Sequence, residues 1–325
     1  MSTKYQAIVI GSGHNGLANA AFLARAGLKT LVVEQNEYIG GATVSLETYR
    51  EDWKYSNCSY VSSLLRPEVF RSLRLDRYGL QIVPYGGGAT FSQDGDYIGR
   101  YVDPDVSRRE VARHSLRDAH ATERFDRDVM RQAKFIRQFL LRTPPDPTSF
   151  RPRDLLELLF TARAALNLGE DLIYDTMRFY TMSIADFLDE YFESPLLKAA
   201  HAGSGIIGSA LGVMSPGTAY VLLHHAMGDV DGNMGAWGFA RGGMGAVSQA
   251  IAGAFQAAGG ELRTEAGVDT IIVKNGSSAC ACCSSATRTA GCATRWITFP
   301  CPRWRSASSP GISSPAASRL PSRFA

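Results

Sequence analysis

The first forty residues combine short apolar runs with one helical pattern. Residues 5–10 and 30–33 are apolar without alternation, which predicts two strands that are buried on both faces of a parallel sheet. Between them, from residue 16 to 26, apolar side chains recur every three or four positions, as in a helix packed along one face. Gly27 stands where glycine commonly ends a helix. The order predicts a β-α-β unit.

The middle of the chain has a different, mainly helical pattern. Charged residues with one apolar stripe predict a helix over residues 105–142, which a proline-rich segment at 144–147 ends. Further helices are predicted over residues 155–168, 184–192 and 196–201. Strands are predicted at 80–85 and 89–91, on either side of a glycine turn at 86–88.

After residue 233 the chain returns to the pattern of its start. A glycine-rich stretch leads into a predicted helix at 246–258, and strands follow at 261–264 and 268–273. We therefore expect an α/β fold in which residues 1–100 and 233–276 form one Rossmann-like nucleotide-binding domain. A largely helical substrate domain, residues 101–232, interrupts it.

The turn after the first predicted strand carries the pattern of a dinucleotide phosphate site. Gly11 permits a sharp turn, Gly13 lets the backbone approach a pyrophosphate, and Gly16 lets the helix pack close to the strand. The start of the helix presents free N–H groups and the positive end of its dipole to the phosphates. A glycine turn of purely structural use is the alternative.

Two further signals favour a flavin over a nicotinamide cofactor. Glu34 ends the second strand about 20 residues after the glycines, where an acid can accept hydrogen bonds from an adenosine ribose. Gly40 and Gly41 follow six residues later. A second glycine pair is not needed to bind NAD, whereas an extended flavin cofactor requires the chain to pass close to it.

Composition narrows the possible partners and the location. The net charge of +3 comes from residues 277–325, which contain six Arg and no Lys, Asp or Glu; the rest of the chain is slightly acidic. We therefore expect no nucleic-acid partner. No apolar run reaches eighteen residues, so no transmembrane segment is predicted. With seven residues before Ile8 there is no room for a leader, and a cytoplasmic location is expected.

The composition changes abruptly after Asn275-Gly276. Residues 277–325 are rich in Ser, Ala, Arg, Pro and Cys without a clear period, which predicts a disordered tail. Cys280, Cys282 and Cys283 lack the spacing and the histidines of a zinc site, so no metal site is predicted.

We interpret this tail as the result of a shift in the reading frame near residues 274–280. The expected result of translating the encoding DNA in the other two frames is a hydrophobic continuation that contains acidic residues. If neither frame gives one, the hypothesis fails.

Several segments together resemble one family. The run from Gly11 to Leu17, the Gly40-Gly41 pair, and residues 62–67, 220–228 and 235–245 are similar to the phytoene desaturase-related FAD oxidoreductases, among them the pyridine nucleotide-disulfide oxidoreductase domain-containing proteins. The resemblance covers about residues 5–275. It implies a fold like that of amine oxidases, and members that run well beyond this length, so that the fold of this chain would be incomplete at its C-terminus.

The resemblance also implies a bound FAD and the residues that hold it. Gly11, Gly13 and Gly16 would lie at the pyrophosphate, Glu34 at the ribose, Gly41 and Ala42 near the flavin, and Val268 at the adenine. The complete set of expected cofactor-binding residues is Ile8, Gly11, Ser12, Gly13, His14, Asn15, Gly16, Glu34, Gln35, Gly40, Gly41, Ala42 and Val268.

The implied reaction is hydride transfer from a substrate C–H bond to the flavin, which does not require a separate acid or base. No catalytic residue is assigned; His224 or His225 is a candidate proton carrier. The substrate is expected to be a small molecule, with lipids among the candidate classes. The alternatives are a carotenoid desaturase, an amine oxidase, a non-catalytic or regulatory protein that keeps the fold, and an inactive truncated product.

Overall fold

The structure is a computed structural model that describes residues 5–47, 50–166, 170–274 and 277–282. Its helices are α1 (His14–Arg25), α2 (Pro67–Leu73), α3 (Pro104–Ala112), α4 (Leu116–Arg137), α5 (Pro152–Leu166), α6 (Glu170–Thr181), α7 (Ile184–Asp189), α8 (Pro195–Ile206), α9 (Thr218–Ala226) and α10 (Gly245–Ala257). Its strands are β1 (Ala7–Ile10), β2 (Thr30–Val33), β3 (Ser45–Leu46), β4 (Tyr55–Ser56), β5 (Ile82–Pro84), β6 (Gly87–Phe91), β7 (Tyr97–Tyr101), β8 (Asp229–Val230), β9 (Asn233–Met234), β10 (Gly238–Ala240), β11 (Glu261–Arg263), β12 (Val268–Lys274) and β13 (Ser277–Cys282).

A parallel sheet in the order β1-β2-β11 carries the nucleotide-binding part. Helices α1 and α10 pack against each other beside it. The buried face of α1 consists of small side chains and one leucine, Leu17, Ala20, Ala21 and Ala24, so the two helices can approach closely. The predicted β-α-β unit and its return strand are therefore confirmed, and the chain has an α/β Rossmann-like fold.

The described residues form two main hydrophobic cores from different parts of the chain. One core takes its buried residues from the segments 17–80 and 240–255 and includes the β-α-β unit. The other takes them from residues 98–227 and is almost entirely helical. The exact domain limits at residues 100, 232 and 276 stay a prediction.

Aromatic packing holds the helical core together. The buried Phe125 of α4 lies with its ring centroid 6.0 Å from that of Phe187, 5.4 Å from Tyr191, 5.0 Å from Phe192 and 4.7 Å from His201. Such tilted and edge-on contacts add to the free energy gained by burying the rings. His201 is enclosed by them, and burial, together with the charge of nearby Arg100, lowers its pKa to about 3. It is a neutral ring of the core.

Two local predictions were wrong because polar side chains and backbone pairing override the periodicity. The single helix expected over residues 105–142 is two helices, since Ser115 is extended and its hydroxyl caps α4 by accepting from the Asp118 N–H. The glycine turn expected at 86–88 is partly strand: Gly87 and Gly88 pair with Tyr101 and Arg100 across β6 and β7.

The two cores meet where residues 62 and 63 pass between them. Ser62 pairs with Gly238 through two backbone hydrogen bonds, and the Asp229 N–H donates to the Ser63 carbonyl at 2.8 Å. A Cβ at Gly228 would lie 2.6 Å from that same carbonyl oxygen, so only glycine permits the approach. The Asp229 carboxylate then binds Arg137 of α4 at 2.8 Å.

The predicted disordered tail does not begin at residue 277. Residues 277–282 form β13, which pairs antiparallel with β12, from Lys274↔Ser277 to Val268↔Cys282. Backbone groups make this ladder, so the unusual composition of residues 277–282 does not prevent it. The rest of the predicted tail, residues 283–325, lies outside the described residues, and the reading-frame hypothesis stays a prediction.

Within the described ranges, no helix combines the length and the apolar character needed to cross a membrane.

The aromatic core allows a test of the helical part. Phe125→Ala should lower the free energy of unfolding by about 3–5 kcal/mol, since it removes a fully packed ring and leaves a cavity. Phe150→Ala is the matched control because that ring is 91% exposed, and its effect should stay within about 0.5 kcal/mol. Urea unfolding followed by circular dichroism measures both; equal effects of the two substitutions would contradict this packing.

Candidate functional site

The glycine turn has the geometry that its sequence pattern requires. The Gly11 N–H donates to the Val33 carbonyl at 2.7 Å, which ties the turn to the end of β2. Gly11 has φ +94°, a conformation that side-chain-bearing residues rarely adopt. A Cβ at Gly16 would lie 2.4 Å from the Gly11 carbonyl oxygen. Both glycines are therefore needed for the turn itself, whether or not a ligand binds.

Gly13 differs from its two neighbours in the motif. Its backbone is extended, with φ −62°, and a Cβ added there would meet no described protein atom within 4 Å. The fold therefore does not require glycine at this position. Gly13 precedes the first residue of α1, and its position supplies no side-chain cap to that helix. The N–H groups and the positive end of the helix dipole remain available for an anion in the space beside Gly13.

His14 and Asn15 form the first turn of α1 beside this space. His14 is half-buried, and burial lowers the pKa of its ring, so the imidazole is neutral at pH 7. Asn15 is exposed. The structure thus places both predicted residues at the helix start. What each contributes to a ligand stays a prediction.

Glu34 is held by four hydrogen bonds. One carboxylate oxygen accepts from the Ser12 N–H at 2.8 Å and from the Ser12 hydroxyl at 2.7 Å. The other accepts from the Asn36 N–H at 3.0 Å and from the Asn36 side-chain amide at 2.9 Å. Glu34 is 7% exposed and Ser12 is fully buried. The acid at the end of β2 is thus joined directly to the glycine turn.

These bonds decide the protonation state of Glu34. Burial alone would raise the pKa of the carboxyl group, but the hydrogen bonds from Asn36 and Ser12 favour the charged form, and the resulting pKa is below its ordinary value near 4.5. Glu34 is therefore a carboxylate at neutral pH. As an acceptor without a proton, it suits the hydroxyl groups of a ribose.

Gly40, Gly41 and Ala42 lie against the glycine turn. Gly40 pairs with Gly13 in a short bridge, and its N–H donates to the Ser12 carbonyl at 3.1 Å. A Cβ at Gly41 would lie 3.2 Å from the Gly13 Cα. Ala42 follows in a 3-10 turn, and its carbonyl accepts from the Ser59 N–H at 2.9 Å. The two glycine motifs, well separated in sequence, form one continuous backbone surface.

The remaining predicted residues divide into two groups. Ile8 and Val268 both pack against the small core of Tyr5, Leu31 and Val33 beside β2. The backbone of the segment before Val268 binds the chain next to Glu34, because the Ala266 N–H donates to the Glu34 carbonyl at 2.7 Å. Gln35, in contrast, is exposed, and no contact among the described residues ties its side chain to the site.

Sequence reasoning missed Asn36. Its backbone and side chain supply two of the four hydrogen bonds to Glu34. An Asx residue two positions after an acid can fold back on it, which is the signal that could have found it.

The two candidate proton carriers have different surroundings. His225 is engaged, with Nδ1 at 2.8 Å from the Val221 carbonyl oxygen. His224 lines a cavity between the two cores, and burial and then the neighbouring His225 lower its pKa, so the ring is neutral at pH 7. Cys58 is exposed. Among the described residues, no cluster of His, Cys, Asp or Glu could hold a metal ion.

The parallel sheet and the joined glycine motifs define a Rossmann-like nucleotide-binding fold. A family model described as an NAD(P)-binding Rossmann-like domain matches residues 9–73. The chain is 35% identical over 289 residues to pyridine nucleotide-disulfide oxidoreductase domain-containing protein 2 of Rattus norvegicus; the match covers 85% of this chain and 50% of that protein. The resemblance stated from the sequence is thereby confirmed.

Two other matches extend the comparison. A limonene dehydrogenase polypeptide of Castellaniella defragrans is 36% identical over 120 residues, which is 36% of this chain and 21% of that protein. The solved structure of wild-type putrescine oxidase bound to putrescine superimposes with a TM-score of 0.53 at 18% identity, covering 87% of this chain and 55% of that one. The second match is evidence for the fold alone. The chain spans about half the length of the rat protein that it matches.

The Glu34 network predicts a pH-dependent stability. Glu34→Gln should lower the free energy of unfolding at pH 7 by about 1–3 kcal/mol, because the amide places its NH₂ group against donors. Since the folded pKa of Glu34 lies below its ordinary value, the stabilisation is present above about pH 4.5 and is lost as the pH falls further. The difference between the wild-type chain and the variant should therefore shrink in acid.

Urea unfolding at a series of pH values measures this difference. Glu37→Gln is the matched control, since Glu37 is exposed three residues further along, and its substitution should have little effect at any pH. A deficit of Glu34→Gln that does not change between pH 7 and pH 3 would contradict the described role.

Proposed function

We propose that the chain belongs to an FAD-dependent oxidoreductase and holds FAD along the surface from Glu34 to Ala42. The observation that carries this proposal is the direct packing of Gly41 on Gly13. A Cβ added at Gly41 would lie only 3.2 Å from the Gly13 Cα. A nicotinamide cofactor needs the first glycine turn only. The second glycine pair extends the surface on which the backbone can approach a longer cofactor.

Each part of this surface fits a different part of the dinucleotide. The open space at Gly13 and the uncapped start of α1 suit the pyrophosphate. The ionised Glu34 suits the adenosine ribose. Because its four acceptor positions are already used, a ribose hydroxyl would replace the Asn36 side-chain amide, which belongs to an exposed residue. Ile8 and Val268 would flank the adenine.

When bound, FAD would accept a hydride from a substrate C–H bond. The contribution of this chain is to bind and orient the substrate and to keep water away. His224 is the residue that can hold a proton close to the junction of the two cores, since its neutral ring has one basic nitrogen. No other catalytic residue is proposed.

The substrate class is a separate proposal from the cofactor. One relative is named as a subunit of a limonene dehydrogenase, and limonene is a hydrocarbon. This name favours an apolar substrate over a highly polar one for the present chain. The likeness to putrescine oxidase rests on fold and carries no substrate argument. A small molecule of largely apolar character, oxidised at a C–H bond, is therefore the proposed substrate. The expectations that the chain has no nucleic-acid partner and that it is cytoplasmic stay predictions.

The cofactor proposal can be tested at Gly13 without disturbing the fold. Gly13→Ser should leave the free energy of unfolding within about 1 kcal/mol of wild type, because the space is open and serine is a favoured N-cap residue. The same side chain would occupy the space proposed for the pyrophosphate. The expected result is an affinity for FAD at least tenfold weaker, measured by quenching of flavin fluorescence during titration.

Gly203→Ser is the matched control. It adds the same side chain in open space within α8, in the other core, and should leave FAD affinity unchanged. The wild-type chain should also bind FAD more tightly than NAD⁺. Absence of FAD binding by the wild-type chain, or equal affinity of wild type and Gly13→Ser, would overturn the proposal.

A further inference from the structure

A cavity of about 220 Å³ lies at the junction of the two cores. The segment from Ser63 to Pro67 forms its wall on the side of the nucleotide-binding part. Residues in and next to α4, α9 and β8 form the opposite wall. The volume equals that of about seven water molecules in the liquid, which is enough for part of a small organic ligand.

The segment that lines this cavity lies next to the surface proposed for the cofactor. The Ser59 N–H donates to the Ala42 carbonyl, and Ser62 is paired with Gly238. The lining segment therefore begins within a few residues of the contact with Ala42, the end of the cofactor surface expected to hold the flavin. A substrate between the two cores would lie in this region, as is common for ligands at domain junctions.

The carboxylate of Asp229 in the cavity wall is already neutralised. Asp229 accepts from the Arg137 guanidinium at 2.8 Å through one oxygen and from the Gly232 N–H at 2.8 Å through the other. Both side chains of the ion pair are less than one-fifth exposed. A buried pair with these bonds has little capacity left to attract a cationic ligand.

Arg66 is a charged group of the wall that is only weakly paired. Its Nε is buried and makes no hydrogen bond of proper geometry among the described residues, although it lies 3.3 Å from Oε2 of Glu68. Its Nη2 donates to the other Glu68 oxygen at a long 3.4 Å. Glu68 is nearly half exposed, so water screens this contact and it contributes little. The guanidinium of Arg66 is thus only weakly paired, and a bound carboxylate would replace Glu68 as its partner.

The other described groups of the wall add no negative charge. His224 is a neutral ring that can donate or accept one hydrogen bond. Leu64, Leu140 and Met227 are apolar. The wall therefore combines the guanidinium of Arg66 with apolar side chains, and it offers no unpaired carboxylate to a protonated amine.

We propose that this cavity binds a small apolar acid, with its carboxylate on Arg66 and its hydrocarbon part against Leu64, Leu140 and Met227. Bidentate binding of carboxylates is the interaction for which a guanidinium is best suited. The inference rests on the proposed function in one respect: the bound acid is then the molecule that the oxidoreductase oxidises. It disfavours an amine as the substrate.

Three probes of equal chain length test the head-group selectivity. Hexanoate, hexanol and hexylamine are titrated into the full chain at pH 7 without added FAD, and binding is followed by ligand-observed NMR. Hexanoate is expected to bind at least tenfold more tightly than hexylamine, with hexanol between them. Arg66→Gln should weaken hexanoate at least tenfold and leave hexanol unchanged.

Matched variants separate binding from folding. Arg71→Gln removes an equal charge at an exposed position in the nearby helix α2 and should change no affinity. Leu140→Trp fills the cavity from the opposite wall and should weaken both hexanoate and hexanol. Leu141→Trp changes the next residue, which does not line the cavity, and should weaken neither.

The outcomes distinguish this inference from the cofactor proposal. If hexylamine binds as tightly as hexanoate, or if neither Arg66→Gln nor Leu140→Trp weakens hexanoate, the acid site is refuted even when FAD binds. If hexanoate binds as expected and FAD does not, the cavity is an acid site but the proposed oxidation fails.

Discussion

The bond between the buried Ser12 and the carboxylate of Glu34 is the constraint on which the candidate site depends. Ser12 donates its N–H and its hydroxyl to Glu34, and its carbonyl accepts from Gly40. One residue of the glycine turn thus joins the end of β2 on one side and the second glycine pair on the other. Because charge-assisted bonds in a buried place are strong, the turn is fixed before any ligand arrives.

This arrangement gives the three motif glycines separate tasks. Gly11 and Gly16 are required by the protein, one for its positive φ and one for the approach of α1 to the turn. Gly13 faces open space among the described residues, so no contact in that part of the chain accounts for its lack of a side chain. The three positions look equivalent in the motif, but among the described residues only the surroundings of Gly11 and Gly16 require glycine.

The sequence predicted the parts of the molecule that depend on local pattern. The β-α-β unit, the return of the chain to the sheet after residue 233 and the placement of Glu34 beside the glycine turn all follow from periodicity and spacing. It did not predict Asn36, the break at Ser115 or β13, because each depends on a hydrogen bond to a specific partner. The cavity beside Arg66 brings together residues from 63 to 229, and no local pattern contains it.

The central claim, that the space at Gly13 holds the pyrophosphate of a dinucleotide, is tested most directly by phosphorus NMR of FAD. Both phosphorus resonances should shift and broaden when the wild-type chain is added, and they should change far less when the same concentration of Gly13→Ser is added instead. Unchanged resonances with the wild-type chain, or identical changes with both proteins, would contradict the account.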